Sequence, residues 1–173
     1  FSDLRIFSET PVAATGVSEK ILKSEKIPYF SSITHASSHA GYYPDAMAMT
    51  IKIVFSPTDG TLFGAQIVGF EGVDKRIDLF AAVIKKNGTI FDLEEIEHAY
   101  APPYSSAKDP VNIAGFTAEN ILRGKCSVIH WYNIKNMNAE DYFLVDVRTP
   151  EEFTLGTIDG AKNIPLDQIR ERI

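Results

Sequence analysis

Hydrophobic and polar residues alternate strictly in the run MAMTIKIVF, a pattern typical of a strand with one buried face. That face would carry Met47, Met49, Ile51, Ile53 and Phe55. The turn sequence SPTDG follows the run, and a second apolar run, TLFGAQIVGF, comes directly after it. The pattern therefore predicts an antiparallel hairpin over residues 46–70. An earlier apolar run, PVAATGV, predicts another short strand, which ends at Gly16.

Apolar residues at helical spacing predict helices on either side of this hairpin. Ser18 is the expected N-cap of a short helix that runs through Lys23. A longer helix is predicted in GVDKRIDLFAAVIKKNG, because its apolar residues recur every three or four positions. One face of that helix would carry Val73, Ile77, Phe80, Ala81 and Ile84.

Capping residues predict two further helices. In FDLEEIEHA, Asp92 is the expected N-cap, with Glu95 three residues later as in a capping box. Asp109 is the expected N-cap of the next helix, and Pro110 would take its first position before Gly124 ends it. Since strands precede helices, residues 1–124 are predicted to form an α+β domain, an antiparallel sheet with helices on one face.

The pattern changes from about Cys126 onward. The run DYFLVDVR predicts a strand, TPEEF predicts a helix capped by Thr149, and GTIDGAKNIPL predicts a turn and a second strand. This order is that of a parallel α/β fold. Residues 125–173 are too few for a complete doubly wound sheet, so this unit is predicted to be incomplete and the chain to be a fragment.

Charge and composition exclude several function classes. The formal net charge is −6 and the chain has no cluster of Lys and Arg, which argues against nucleic acid or an anionic membrane as a partner. No apolar run approaches the length of a membrane span, and the start lacks the pattern of a signal peptide. A single cysteine, Cys126, rules out an intramolecular disulfide. We therefore expect a cytoplasmic location.

Several patterns that resemble functional motifs have simpler interpretations. His35 and His39 lie four apart but lack a third ligand nearby, so we interpret them as two loop histidines and expect no metal site. GAQIVG, from Gly64 to Gly69, lacks the Lys and Ser/Thr of a phosphate-binding loop, and its glycines are expected to allow close packing of a strand. Cys126 has no histidine near it in sequence that would activate it.

Tyrosines provide the remaining candidate chemistry. Tyr42 and Tyr43 adjoin a proline, whereas Tyr100 and Tyr104 flank Ala101-Pro102-Pro103, which we predict to be a stiff extended rod. A phenol held by such a rod can donate a hydrogen bond or a proton to a developing anion such as a thiolate. The alternative is an apolar contact patch with wet hydroxyl groups, and the residues alone favour that alternative.

Two blocks, GAQIVGFEGVDKRIDLFAAVI and AYAPPYSSAKDPVNIAGFTAENIL, resemble the C-terminal dimerisation domain of the FAD-dependent pyridine nucleotide-disulfide oxidoreductases. The resemblance is to the branch that contains coenzyme A-disulfide reductase and NADH oxidase. It implies a homodimer in which FAD and NAD(P)H bind to flavin and nucleotide domains that precede this region. The redox cysteine would precede this region as well. A fragment of this kind would bind neither cofactor alone and would be inactive, although the full-length parent would be an enzyme.

The same resemblance assigns roles to individual residues. Tyr100 and Tyr42 would approach the reactive cysteine of the partner subunit and its bound coenzyme A or other thiol substrate, and Tyr43 is the alternative to Tyr42. The turn residues Ala101, Pro102 and Pro103 would lie near the partner's flavin. The family often has glycine after YYP, where this chain has Asp45, so the geometry of that turn is left open.

The tail FLVDVRTPEEFTLGTIDGAKNIPL resembles the first half of a rhodanese domain. The resemblance places Asp146 and Arg148 in its early motif, at the carboxyl end of a strand, where a structural ion pair is the alternative interpretation. The family's persulfide-forming cysteine lies in a later loop, so Cys126 is not that residue. Two other functions stay open at this point: a rhodanese-type sulfurtransferase with an N-terminal adaptor, and a scaffold module with no redox parent.

Overall fold

The computed structural model describes residues 2–7 and 10–172, and the chain divides into two compact units, Phe1–Val128 and Ile129–Ile173. Phe1, the first residue of the predicted N-terminal domain, and Ile173, the last residue of the predicted C-terminal domain, lie outside the described residues. None of the helices in the described part of the chain is long and apolar enough to cross a membrane.

The first unit contains a five-stranded antiparallel sheet. Its strands are β1 (Asp3–Phe7), β2 (Thr10–Gly16), β3 (Phe30–Ser37), β4 (Ala48–Phe55) and β5 (Leu62–Gly69). They lie in the order β1-β2-β5-β4-β3, so that β1 and β3 are the edge strands. Strands β4 and β5 form the predicted hairpin, and β2 ends at Gly16 as expected.

Helices of the first unit are α1 (Glu19–Ser24), α2 (Val73–Lys85), α3 (Ile90–Glu95) and α4 (Pro110–Leu122). Helix α2 packs on β2 and β5, α4 packs on β3 and β4, and α3 packs on α4. The predicted α+β fold, an antiparallel sheet with helices on one face, is therefore confirmed for α2, α3 and α4, whereas Glu19 of α1 contacts Lys52 on the opposite face. The N-caps predicted at Ser18 and Asp109 are confirmed as well, with Pro110 at the first position of α4.

The cap predicted for α3 is wrong. Thr89 is the N-cap, and Asp92 is the third residue of the helix, where its carboxylate accepts from the Thr89 amide at 2.6 Å and the Thr89 hydroxyl at 2.8 Å. In a capping box both residues bond to the other's backbone or side chain, so an acidic residue at the third position resembles a cap in sequence. The helix consequently begins at Ile90, three residues earlier than Asp92 as cap implies.

The hydrophobic core lies between the sheet and helices α2, α3 and α4. Four of the five residues predicted on the hairpin's apolar face are almost fully buried there, namely Met49, Ile51, Ile53 and Phe55. Met47 precedes β4 and is 40% exposed, so the predicted alternation is correct only from the start of the strand. From the helices, the core receives Ile77, Phe80, Leu93, Val111 and Ala114.

The second unit has a βαβ order, as predicted. Its elements are α5 (Trp131–Ile134), β6 (Val145–Asp146), α6 (Pro150–Leu155), β7 (Lys162–Asn163) and α7 (Ile169–Arg172). Strands β6 and β7 pair in parallel, with α6 between them in the chain. Thr149 caps α6 and Glu152 closes the capping box. The strand predicted over DYFLVDVR is much shorter than that run and covers only Val145–Asp146.

Candidate functional site

The YAPPY sequence forms a tight turn, so the predicted extended rod is wrong. The Ala101 carbonyl accepts from the amides of Tyr104 at 2.9 Å and Ser105 at 3.1 Å, which bends the chain back at Pro102 and Pro103. Proline fixes φ near −65°, a value shared by polyproline helices and by helical turns, so φ alone cannot decide between them. Because two successive φ angles are fixed, the turn is nevertheless stiff.

A second loop, residues 38–47, lies beside this turn. Its ends are joined twice, since the Ser38 amide donates to the Met47 carbonyl at 2.8 Å and the Met47 amide donates to Ser38 Oγ at 3.1 Å. The Ala40 amide donates to the Pro102 carbonyl at 3.3 Å, which ties the loop to the YAPPY turn. Asp45, whose turn geometry the sequence left open, takes a left-handed φ of 66°.

The two loops bring Tyr42 and Tyr100 together. Their hydroxyl oxygens lie 3.3 Å apart, and the side chains are 77% and 51% exposed. The hydrogen bond with Tyr100 raises the pKa of the Tyr42 phenol above its ordinary value. Between the two hydroxyls there are two protons, and only one is used in their mutual bond. One phenol proton therefore remains available for a hydrogen bond to an outside acceptor.

Tyr43 and Tyr104 lie apart from this pair. The ring of Tyr43 packs edge-on against His39, with centroids 5.9 Å apart. Tyr104 is 70% exposed, and its backbone carbonyl accepts from Lys75 Nζ at 2.7 Å, which ties the YAPPY turn to α2. Burial lowers the pKa of Lys75, and the neighbouring Arg76 charge lowers it further. Of the two tyrosines left open by sequence, the structure thus pairs Tyr42 with Tyr100.

A buried ion pair lies beneath both loops. Arg76 is fully buried in α2 and donates to the Asp109 carboxylate through Nε at 3.0 Å and through Nη2 at 2.8 Å. Arg76 Nη2 also donates to the Ser38 carbonyl at 2.7 Å, at the start of the Tyr42 loop. Asp109 accepts in addition from Ser105 Oγ at 2.7 Å, at the end of the YAPPY turn. One guanidinium and one carboxylate therefore join both tyrosine loops.

The charge state of Asp109 follows from these contacts. Burial raises the pKa of its carboxyl, but hydrogen bonds from Arg76, the Val111 amide and Ser105 outweigh burial and lower the pKa below its usual range. Arg76 was not predicted as a site residue from the sequence. Its signal was present, because Arg76 lies three residues after Val73 and four before Phe80, on the predicted apolar face of the helix.

His98 is another residue that the sequence analysis missed. It lies two residues before Tyr100, and its Nε2 is buried with no hydrogen-bond partner among the described residues. Burial lowers the pKa of its imidazole. The neutral ring is therefore favoured, and among the described residues its buried Nε2 makes no hydrogen bond to either phenol.

The interpretation of His35 and His39 as two loop histidines is wrong for His35. His35 lies within β3, where its Nδ1 is 3.0 Å from Thr50 Oγ1 on β4. His39 is in the loop but is 96% buried, with Nε2 3.0 Å from the Pro44 carbonyl. Within residues 2–7 and 10–172, no group of three or more potential ligands is placed to hold a metal ion.

The glycines of GAQIVG serve strand packing, as predicted. They lie inside β5, and a Cβ on Gly64 would lie 2.2 Å from the Val17 carbonyl oxygen. The chain therefore approaches β5 closely at that point, which only glycine allows. Cys126 is exposed and lies in the first unit.

Asp146 and Arg148 form a local ion pair in the second unit. The two closest contacts join Arg148 Nη2 to Asp146 Oδ2 at 2.7 Å and Nε to Oδ1 at 3.0 Å. Arg148 Nη2 also donates to the Gly156 carbonyl, and Thr157 Oγ1 donates to Asp146. The hydrogen bond from the Arg148 side chain keeps the pKa of Asp146 well below its usual range. The hydrogen bonds of the pair thus hold together the loop after β6 and the residues that follow α6.

Comparisons with known proteins match the two parts of the chain to two different families. Residues 4–110 match the family model of the pyridine nucleotide-disulphide oxidoreductase dimerisation domain, and residues 132–173 match that of the rhodanese-like domain. A coenzyme A disulfide reductase of Staphylococcus epidermidis is 36% identical over 113 residues, which are 65% of this chain and 25% of that protein.

Two solved structures are similar over 99% of this chain and 31% of their own. One is the reduced CoADR-RHD of Bacillus anthracis, with a TM-score of 0.95 and 46% identity. The other is an NAD-dependent persulfide reductase from A. fulgidus, with a TM-score of 0.89 and 32% identity. The chain therefore spans about a quarter to a third of the length of the relatives it matches.

Proposed function

This chain belongs to the pyridine nucleotide-disulphide oxidoreductase family through its dimerisation domain, which precedes a rhodanese-like domain, and we propose that it completes the active site of a partner subunit. The intact protein would be a flavin-dependent NAD(P)H reductase of a sulfur substrate, such as coenzyme A disulfide, a persulfide or a polysulfide. The observation that carries the proposal is the exposed phenol pair of Tyr42 and Tyr100, 3.3 Å apart on two tied loops.

The described residues do not include a dinucleotide-binding loop of their own. GAQIVG lies within β5 and is not a turn between a strand and a helix, so FAD and NAD(P)H would be held by other domains of the intact protein. When bound, FAD supplies the route by which reducing equivalents from NAD(P)H reach the disulfide. The partly exposed turn of Ala101, Pro102 and Pro103 would lie against the partner's flavin.

The phenol pair would act on the thiolate that departs when the disulfide bond breaks. An ordinary phenol has a pKa of about 10 and an ordinary thiol one of about 8.5, so complete proton transfer from tyrosine to thiolate is uphill. The raised pKa of Tyr42 widens this difference. The pair is therefore suited to donate a strong hydrogen bond to the thiolate, which stabilises its charge, while solvent supplies the final proton.

The alternative function, a rhodanese-type sulfurtransferase with an N-terminal adaptor, is less well supported. Cys126 is exposed in the first unit, so it is not placed to be the nucleophilic cysteine of the rhodanese-like unit. Asp146 and Arg148 are already satisfied by each other and by neighbouring groups. The Staphylococcus epidermidis and A. fulgidus proteins that this chain resembles are described as reductases.

Phenol-to-phenyl substitutions in the intact protein test the proposal. Tyr100→Phe and Tyr42→Phe should each lower kcat for disulfide reduction, by up to about a hundredfold if the phenol is a positioned donor to a developing anion. Dimerisation, measured by analytical ultracentrifugation, should be unchanged because only an oxygen atom is lost. Tyr104→Phe is the matched control and should retain full activity. The Tyr104 phenol is exposed on the same turn, and its hydroxyl makes no hydrogen bond among the described residues.

The opposite pattern would identify an interface patch. If Tyr100→Phe or Tyr42→Phe weakens dimerisation while each remaining dimer keeps its normal turnover, the phenols are contact residues and the proposed role is wrong.

A further inference from the structure

His39 spans the loop that carries Tyr42. It is 96% buried, and its ring contacts the loop on both sides of that tyrosine: Nδ1 is 3.1 Å from Ser38 Oγ, and Nε2 is 3.0 Å from the Pro44 carbonyl oxygen. A carbonyl oxygen only accepts, so Nε2 carries the proton and donates to Pro44. The ring therefore links Ser38, before Tyr42, to Pro44, after it.

One end of this link is fixed to the core. The Ser38 carbonyl accepts from the fully buried Arg76, and the Ser38 amide and Oγ pair with Met47 across the loop. Ser38 Oγ also donates to the Glu71 carboxylate at 3.1 Å. The Pro44 end has no comparable anchor, because the Pro44 carbonyl accepts only from His39 in the hydrogen bonds of the described residues. Without His39, Pro44 would lose its link to Ser38.

The position of Tyr42 depends on that loop. Its side chain is 77% exposed, and its hydroxyl makes one hydrogen bond in the described part of the chain, to Tyr100. The backbone of residues 40–44 therefore sets where the phenol lies. Tyr43 supports the same geometry, since its amide donates to the Ala40 carbonyl at 2.9 Å and its ring packs on His39.

From these contacts we propose that His39 is a positioning residue, which holds the Tyr42 loop closed and keeps the Tyr42 phenol within reach of Tyr100. The inference rests on the proposed function as far as turnover is concerned. The geometric part, that the His39–Pro44 hydrogen bond sets the distance between the two phenols, stands without it. His39 touches neither phenol oxygen, so it acts through the backbone of the loop.

Two amides of different length provide the test in the intact protein. His39→Gln carries an amide nitrogen at about the reach of the imidazole Nε2 and should keep the bond to Pro44, whereas His39→Asn is one methylene shorter and should lose it. 3-Fluorotyrosine placed at position 42 reports on the phenol by 19F NMR. We expect His39→Asn to shift its resonance to the position seen in Tyr100→Phe, and His39→Gln to leave it near the wild-type position.

Turnover should follow the same order. We expect kcat to fall about tenfold in His39→Asn, with little change in KM, and to recover in His39→Gln. A displaced phenol stabilises the transition state less well, whereas it has little effect on the affinity for the substrate. His35→Asn is the matched control; that histidine is exposed on β3, and the change should alter neither the resonance nor kcat.

Different results would contradict the positioning role of His39 and the proposed function of the phenols. An unshifted Tyr42 resonance in a folded His39→Asn protein, or a shift that His39→Gln does not reverse, would overturn the positioning role whatever the activity. If Tyr42→Phe itself leaves kcat unchanged, the proposed function is wrong, and the NMR comparison still decides the role of His39.

Discussion

Arg76 and Asp109 show, at the scale of single residues, how much the candidate site depends on one buried contact. The pair has almost no exposure to solvent, and it bonds to Ser38 and Ser105 in the two tyrosine loops, to Gly72 at the N-cap of α2 and to Val111 in α4. A buried charge that loses its partner keeps the cost of its desolvation without compensation. Loss of this pair should therefore disturb the two tyrosine loops and also lower the stability of the domain.

Arg76→Met should therefore destabilise the protein strongly. We expect the free energy of unfolding to fall by about 3–5 kcal/mol, because Asp109 would be left as an unpaired buried carboxylate. Urea unfolding followed by circular dichroism measures the change. Arg5→Met is the matched control, since Arg5 forms an exposed pair with Asp3 at 2.8 Å and such pairs contribute less than about 1 kcal/mol. Equal effects of the two substitutions would contradict the account.

Among the elements, α1 is attached to the sheet through Glu19. Its carboxylate accepts hydrogen bonds from Lys23, Lys52 and the Tyr29 phenol. Lys52 pairs with Gln66 and Ile33 on the face of the sheet opposite the core residues Ile51 and Ile53. Helix α1 is therefore held to the sheet by polar contacts on this face, and its attachment should depend on pH.

The pH dependence can be predicted with its sign. Burial raises the pKa of Glu19, but the hydrogen bonds from Lys23, Lys52 and Tyr29 outweigh it and lower the pKa from 4.5 to about 2. Because the folded state binds this proton less readily than the unfolded state, the contribution is complete above about pH 4.5 and is lost as the pH falls towards about 2. Unfolding free energies measured across this window should fall less steeply for Glu19→Gln than for wild type. Parallel curves would show that Glu19 contributes nothing.

Predictability from sequence also differs between elements. The hairpin of β4 and β5 follows from strict alternation, and α2 and α4 follow from apolar spacing and caps, because these signals are local. Strand β3 was not predicted, since its buried positions include Ser32 and Thr34 whereas Ile33 is 39% exposed. Tertiary packing against α4 overrides hydropathy there. The YAPPY turn was misjudged because proline's φ fits two conformations.

Contacts between residues of the site could not be predicted from the periodicity of the sequence. Tyr42 and Tyr100 are 58 positions apart, and Arg76 and Asp109 are 33 apart, so neither contact leaves a local pattern. The tyrosines were candidates from their position beside prolines, and resemblance to a family singled out Tyr100 with Tyr42 or Tyr43. The pairing of Tyr42 with Tyr100 needed the coordinates. Arg76 left only a charge on an apolar helix face, and His39 was dismissed together with His35 as a loop histidine.

On the scale of the whole molecule, the chain carries one family's dimerisation domain and a segment that matches a second family's domain. The matched region is 25–31% of the relatives' length, and the phenol pair lies at the surface of the first unit. A site that exposes hydrogen-bond donors without a nucleophile beside them is suited to serve a reactive group on another chain. We therefore propose that the phenols act across the dimer.

Hybrid dimers test that claim most directly. One protomer of the intact protein would carry a serine in place of the redox cysteine expected of the family, and the other would carry Tyr42→Phe with Tyr100→Phe. If the phenols serve the partner, one of the two sites combines the intact cysteine with intact phenols, and the hybrid should show about half of the wild-type disulfide reduction. If the phenols serve their own subunit, neither site is complete. A hybrid no more active than the average of its two parent homodimers would contradict the account.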